Sequence, residues 1–171
     1  MKKARWLLAA IPLALGSTAG NLVTAADPGP PSNAAVTFAQ EVSDLLLNEL
    51  LAALFKEFDE TTTANVEHGK QAISLIFNDS NRDIRLVGTF SPLGGSNNLP
   101  SDSFEQSALA AALQNGAQQT AVTKVQDRWY YRRSIALSTS FHQACVLCHT
   151  NFSANQWVGA LMLRVPITRQ P

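Results

Sequence analysis

The segment Cys145-Val146-Leu147-Cys148-His149 contains both cysteines of the 171-residue chain and sets an imidazole directly behind the second. Two thiols three positions apart on one tight turn can each form a thioether with one of a porphyrin's two vinyl groups. The adjacent imidazole then points at the iron from the proximal side. This Cys-x-x-Cys-His order is the attachment signature of a c-type haem. The expectation is one covalent haem c held through Cys145 and Cys148, with His149 as the proximal iron ligand.

Two other chemistries use the same residue types. A redox-active Cys-x-x-Cys disulfide usually opens a helix near the front of a βαβ domain, whereas this pair lies near the C-terminal end. A zinc site would draw on His142, Cys145, Cys148 and His149, but four ligands within eight residues, with no second pair elsewhere, make a cramped set. The motif's position discriminates among haem proteins as well. Small mitochondrial-type cytochromes c carry it near the N-terminus, and the c-prime bundles carry it on a last helix. Here twenty-two residues follow it, and they read as a strand.

The elements that must position this turn flank it on both sides. A Pro-rich lead-in (27–33) precedes a helix over 34–60, with Ser32 or Asn33 as N-cap. Phe38, Val42, Leu46, Leu50, Leu54 and Phe58 recur every fourth residue, flanked by Leu45, Leu47 and Leu51, and form the expected core stripe. A second helix over 65–78 is expected to bury Val66, Ala72, Ile73, Ile76 and Phe77. Residues 84–90 suit a short strand, and 91–101, rich in Pro, Gly and Asn, a loop. Asp102 with Glu105 three positions on makes a capping-box-like start for a helix to residue 114, stopped by Gly116. The apolar period then falls to two. Residues 120–125 and 128–137 read as a hairpin around Gln126-Asp127, and 157–167 as a last strand, apolar on both faces apart from Arg164. Helices first and a mostly antiparallel sheet after them make an α+β fold with one domain over 34–171.

Composition narrows the partners. With 46% hydrophobic and 15% charged residues the chain is neither disordered nor collagen-like. Its formal net charge is zero, from thirteen cations and thirteen anions. Lys2, Lys3 and Arg5 belong to the first five residues, however, and without them ten cations face thirteen anions. A mildly acidic protein has no electrostatic case for binding nucleic acid. Residues 1–26 read as a signal peptide: a basic start, an apolar run from Trp6 to Gly16, and small-residue cleavage sites at Ser17-Thr18-Ala19 and Val23-Thr24-Ala25-Ala26. The run is short for a span and is broken by Pro12 and Gly16. No cysteine follows it to carry a lipid. A periplasmic protein with no membrane span after cleavage is the expectation.

The chain resembles the exported c-haem sensor domains with a PAS-like fold. The resemblance rests on Trp129-Tyr130-Tyr131-Arg132-Arg133 leading through Ala144 to the haem motif, and on Val158-Gly159-Ala160 opening the last strand. Asn98-Leu99-Pro100 ahead of Phe104-Glu105 and Leu109 adds to it, as does Ala72-Ile73 in the second helix. It implies N-terminal helices packed on a PAS-like antiparallel sheet, a signalling or redox protein as partner, and a haem whose redox or ligand state is the signal. Two departures stand out. In some members a cysteine three residues after an Ala-Ile pair is the second axial ligand, and here that position is Ile76, which cannot ligate iron. The family's arginine-bearing loop is replaced by Pro92-Leu93-Gly94-Gly95.

The sixth iron position is therefore open or filled by another group. His68 lies on the second helix eight residues before Ile76, His142 three residues before Cys145, and Met162 on the last strand. Lys70 is a remoter candidate. Each has an ordinary structural alternative: a surface histidine, a propionate neighbour, a core methionine. Arg132, Arg133 and Arg164 suit bidentate pairing with haem propionates. Tyr131, with Trp129, Tyr130 and Trp157, suits a pocket wall. The expected function is redox or small-ligand sensing. A periplasmic electron-transfer cytochrome is the alternative. A haem peroxidase or gas-binding enzyme comes last, because no distal acid–base pair is evident.

Overall fold

The computed structural model describes residues 29–77, 83–89, 98–148 and 150–168. Residues 1–26, which the sequence suggests are a signal peptide, His149 and the Pro92-Leu93-Gly94-Gly95 stretch lie outside the described residues. In chain order the elements are α1 (Asn33–Asp59), α2 (Val66–Ile76), β1 (Ile84–Val87), α3 (Ser103–Asn115), β2 (Thr120–Val125), β3 (Arg128–Ser138), α4 (Gln143–Cys148) and β4 (Trp157–Pro166). The fold is α+β with an antiparallel sheet, as the sequence patterns require.

The caps follow the local chemistry. Ser32, in extended conformation, accepts a hydrogen bond from the Ala35 N–H at 3.2 Å and starts α1. Asp102 does the same for α3, accepting from the Glu105 N–H at 3.0 Å. Gly116 ends α3 in the left-handed region, with φ 72°.

The sheet runs β1-β4-β3-β2, so β3 and β4 are its centre. Gln126, at φ 55°, turns β2 into β3, and Val125 pairs with Arg128 across the turn. α1 covers one face: Leu47 packs with Ile135, Leu161 and Leu163, and Ala39 with Tyr131 and Val165. α3 covers the other: Ala108, Leu109 and Ala112 pack with Val87, Ala136, Ala160 and Met162. This sandwich is why β4 is apolar on alternate and intervening positions alike.

The α1 core stripe differs from the expectation. Leu47, Leu54 and Phe58 are buried, but the upper part of the contact is made by Ala35, Ala39 and Ser43, leaving Phe38, Leu45 and Leu46 exposed. The reason is helical geometry. A step of four residues overshoots a turn by about 40°, so a stripe from Phe38 to Phe58 wraps roughly 200° around the helix. It cannot lie on one face, and small residues let the first half of α1 approach the sheet closely. α2 is a lesser version of its expectation: Gly69 and Ala72 are buried, Ile73, Ile76 and Phe77 half-buried, and Leu75 exposed.

Two glycines are fixed by their surroundings. A Cβ at Gly116 would lie 2.1 Å from the Trp157 ring, on a backbone already at positive φ. A Cβ at Gly159 would lie 2.6 Å from the Val87 carbonyl oxygen, where β1 crosses β4 closely. Gly116→Ala is expected to destabilise the fold by at least about 1–3 kcal/mol, read as a lower urea midpoint. An unchanged midpoint would contradict this packing.

Candidate functional site

The segment carrying Cys145 and Cys148 sits in the connection between the two central strands. Ser138 pairs with Trp157 at its base, with an irregularity in register between Leu137 and Ser138. Beyond that pair Thr139 closes the neck. It is 1% exposed. Its N–H donates to the Gln156 carbonyl at 2.9 Å. Its hydroxyl donates to the Ser153 carbonyl at 2.8 Å and accepts from the Gln156 N–H at 3.1 Å.

Within the neck the chain forms α4, a helix that the sequence reading treated only as a turn. His142 caps it. The His142 carbonyl accepts from the Cys145 N–H at 3.0 Å, and its Nδ1 accepts from the Ala144 N–H at 3.2 Å. Ala144, 2% exposed, packs on Leu54 and Phe58 of α1, in a cluster completed by Phe55, Ile73, Ile76 and Phe77. Cys145 is half-buried and Val146 faces outward. Positions 145 and 148 are three apart on this helix and so share a face. Two thiol-bearing positions on one helical turn, beside an Ala144 seated on an apolar bed, are compatible with the residue types a c-type haem requires.

The other expected residues fall elsewhere. Ile76 lies in the same cluster as Ala144, so α2 does bring that position beside α4. His68 is drawn to α1, its Nε2 3.1 Å from Glu57 and 3.7 Å from Glu60. His142 uses both ring nitrogens, with Nε2 3.2 Å from Asp59. That engagement also weighs against the zinc set. Met162, 3% exposed, belongs to the core under α3, on the sheet face opposite α1. It fills volume there. Lys70 pairs with Glu67 at 2.6 Å.

The three arginines expected at propionates each pair with a carboxylate of the chain. Arg133 pairs with Asp44 of α1, and Arg164 donates to Asp83 at 2.9 Å with its guanidinium 4.8 Å from the Tyr130 ring centre. Arg132, 5% exposed, donates to Asp102 at 2.7 Å, lies 3.6 Å from Glu105, and covers Phe104 at 4.4 Å. Tyr131 faces Ala39 and Val165. It stands seven residues from Ser138, or about 23 Å along the strand, so it lines the α1 core and not the α4 turn. Of the four aromatics, only Trp157 stands at the neck, where it packs toward α3.

A buried charge cluster at the α3 N-terminus escaped the sequence reading. Glu105, 3% exposed, receives Arg85, the Ser101 N–H at 2.8 Å and the Ser101 hydroxyl at 2.9 Å. Arg85 also donates to the Leu99 carbonyl at 3.0 Å. The signal available was the capping box itself, whose glutamate turned inward to two arginines from β1 and β3. Burial works to raise the Asp102 carboxyl, but the Arg132 hydrogen bond, the Glu105 N–H, the Arg132 charge and the Phe104 N–H outweigh it and hold the pKa below its usual value.

No protein-family model matches this chain, and no curated protein matches it. Among the described residues no helix is long and apolar enough to cross a membrane, and no group of three or more His, Cys, Asp or Glu is arranged to hold a metal ion.

Two outcomes follow from this geometry. Thr139→Val keeps the volume but removes the hydroxyl that bridges the Ser153 carbonyl and the Gln156 N–H, leaving them only their mutual contact at 3.3 Å, so thermal unfolding should show a loss of about 1–3 kcal/mol. A loss near zero would mean that Thr139 does not hold the neck. For Asp102 the sign is that of a carboxylate with a depressed native pKa. Its contribution is full above the unfolded-state value, about 3.9, and is lost as pH falls through the lower native value. Asp102→Asn should therefore lower stability at neutral pH and flatten the acid limb of the stability–pH profile. A parallel profile for the two proteins would refute that assignment.

Proposed function

We propose that this chain is an exported c-type haem protein whose haem serves as a redox or small-ligand sensor. One observation carries the reading: Cys145 and Cys148 stand on a single turn of α4 immediately ahead of His149, in a connection rooted on the two central strands. Each thiol would add across one vinyl group, the S–C bond forming at one vinyl carbon and the proton passing to the other. His149 would hold the iron from the proximal side. A bound haem supplies an iron that changes oxidation state and takes a small ligand wherever a coordination position is open.

Sensing is preferred to simple electron transfer because the side chains weighed for the sixth position are engaged. His68 lies against Glu57, His142 between Ala144 and Asp59, Met162 under α3, and Lys70 against Glu67. The family resemblance, with its PAS-like fold, supports the same reading. So does the apolar bed beside Ile76. The electron-transfer alternative draws on one feature, the outward-facing Val146 at 41% exposure, which puts α4 at the protein surface.

The full chain produced with a c-haem maturation system should retain one haem on the denatured polypeptide, and Cys145→Ser with Cys148→Ser should abolish that retention. Haem retained by the double variant would remove the central claim. The ferrous protein is expected to be five-coordinate and to bind CO. A six-coordinate low-spin spectrum unchanged by CO would favour the electron carrier.

A further inference from the structure

His142 stands between the proposed haem helix and α1, and its tautomer follows from its bonds. Nδ1 accepts the Ala144 N–H at 3.2 Å, so it carries a lone pair and the ring hydrogen is on Nε2. Nε2–H in turn donates to Asp59 Oδ1 at 3.2 Å. The ring stacks on Phe55, 5.4 Å between centroids and 23° between planes, and leans on Phe58 at 5.4 Å. Phe141 packs on the same Phe55 at 5.2 Å. The imidazole is 13% exposed and has little room to turn.

A second proton would go to Nδ1, the nitrogen that caps α4. Both ring nitrogens would then be donors, and the Nδ1 hydrogen would face the Ala144 N–H. The new positive charge would also oppose the N-terminal end of a helix. On the other side of the ring the same charge favours Asp59, but that carboxylate is 71% exposed and an ion pair there gains little. Among the described residues Asp59 is the charged group against the ring. α2 presents Ile73, Ile76 and Phe77 to this cluster, while its charged groups pair elsewhere, Lys70 with Glu67 and His68 with Glu57 and Glu60. α4 itself has no acidic or basic residue in its first or last turn. The contact with α1 tightens slightly on protonation and the cap on α4 is lost.

We propose that His142 is a proton-operated latch on the cysteine-bearing helix: neutral, it caps α4 and ties it to α1, and doubly protonated, it stays on α1 and releases the first turn of α4. The consequence for the iron rests on the haem reading above. The latch itself concerns only residues of this chain. His142 acts through α4 and is a positioning residue.

The test is site-resolved hydrogen exchange at the Ala144 amide of the full chain, corrected for the intrinsic pH dependence of exchange, compared between about pH 8 and about pH 5. Protection in the native protein should fall roughly three- to thirty-fold on acidification, the change a lost helix cap brings. His142→Asn supplies a side-chain cap that does not titrate, so it should keep protection at both ends of the range. His142→Ala should be poorly protected throughout. Equal protection of the native protein at both ends, or the native drop persisting in His142→Asn, would overturn the latch. In the haem-loaded protein the same acidification should shift the haem absorption band, and His142→Asn should suppress the shift. A band indifferent to pH in the native protein would overturn the link to the iron. A chain that retains no haem yet shows the exchange pattern would sink the haem reading and leave the latch standing.

Discussion

The antiparallel pairing of β3 with β4 is the constraint on which the rest of this molecule depends. The two strands hold nine paired positions from Tyr130↔Pro166 to Ser138↔Trp157 and form the middle of the sheet. Because neighbouring strands lie about 4.8 Å apart, the connection between them leaves and returns through a narrow base. Thr139 seals that base with three hydrogen bonds in a site with almost no water access. Everything the connection carries, α4 included, is therefore anchored to the most buried part of the protein. The same ladder sends alternate β3 side chains to opposite layers: Tyr131, Arg133 and Ile135 meet α1, while Arg132 and Ala136 meet α3.

That alternation explains where the arginines go. Arg132 and Arg133 are adjacent in sequence and face opposite sides, so no single ligand group beside the sheet could recruit both. Arg133 reaches an exposed aspartate on α1, and such surface pairs contribute about 0–1 kcal/mol. Arg132 is different in kind. It is desolvated, and with Arg85 it surrounds the buried Glu105 and the cap residue Asp102, so removing either carboxylate leaves cationic charge in an apolar setting. This cluster fastens the start of α3 to β1 and β3, and its work is structural.

The sequence made the architecture legible wherever a rule depends on one segment alone. Ser32, Asp102 and Gly116 bound their helices by local hydrogen bonding and φ, and Gln126-Asp127 turned the hairpin as expected. The both-sided apolarity read in β4 is physically accounted for by its burial between α1 and α3. What was not legible depended on partners distant in the chain. That Arg132 meets Asp102 is decided by the start of α3, thirty residues away. Whether Phe38 or Ala39 faces the sheet is decided by the drift of a helix over many turns, which a four-residue spacing conceals. α4 was missed because six residues carry too little periodicity to reveal a helix, and its cap is a histidine, outside the usual capping set.

A helix of six residues also has no stability of its own, since nucleating a first turn is costly and few bonds follow it. α4 keeps its form through Ala144 in the α1–α2 cluster, the His142 cap and the neck beneath it. The rigid parts of the fold, the β3–β4 ladder with α1 and α3 upon it, hold none of the cysteines. A group attached to α4 would thus sit on a short element held by its contacts with α1, α2 and the neck. An electron carrier gains from the opposite arrangement, with its cofactor clamped by the core so that little reorganises between oxidation states. Under the sensing function proposed above, an attachment helix held by a few contacts outside itself is where a change at the attached group would reach the protein around it.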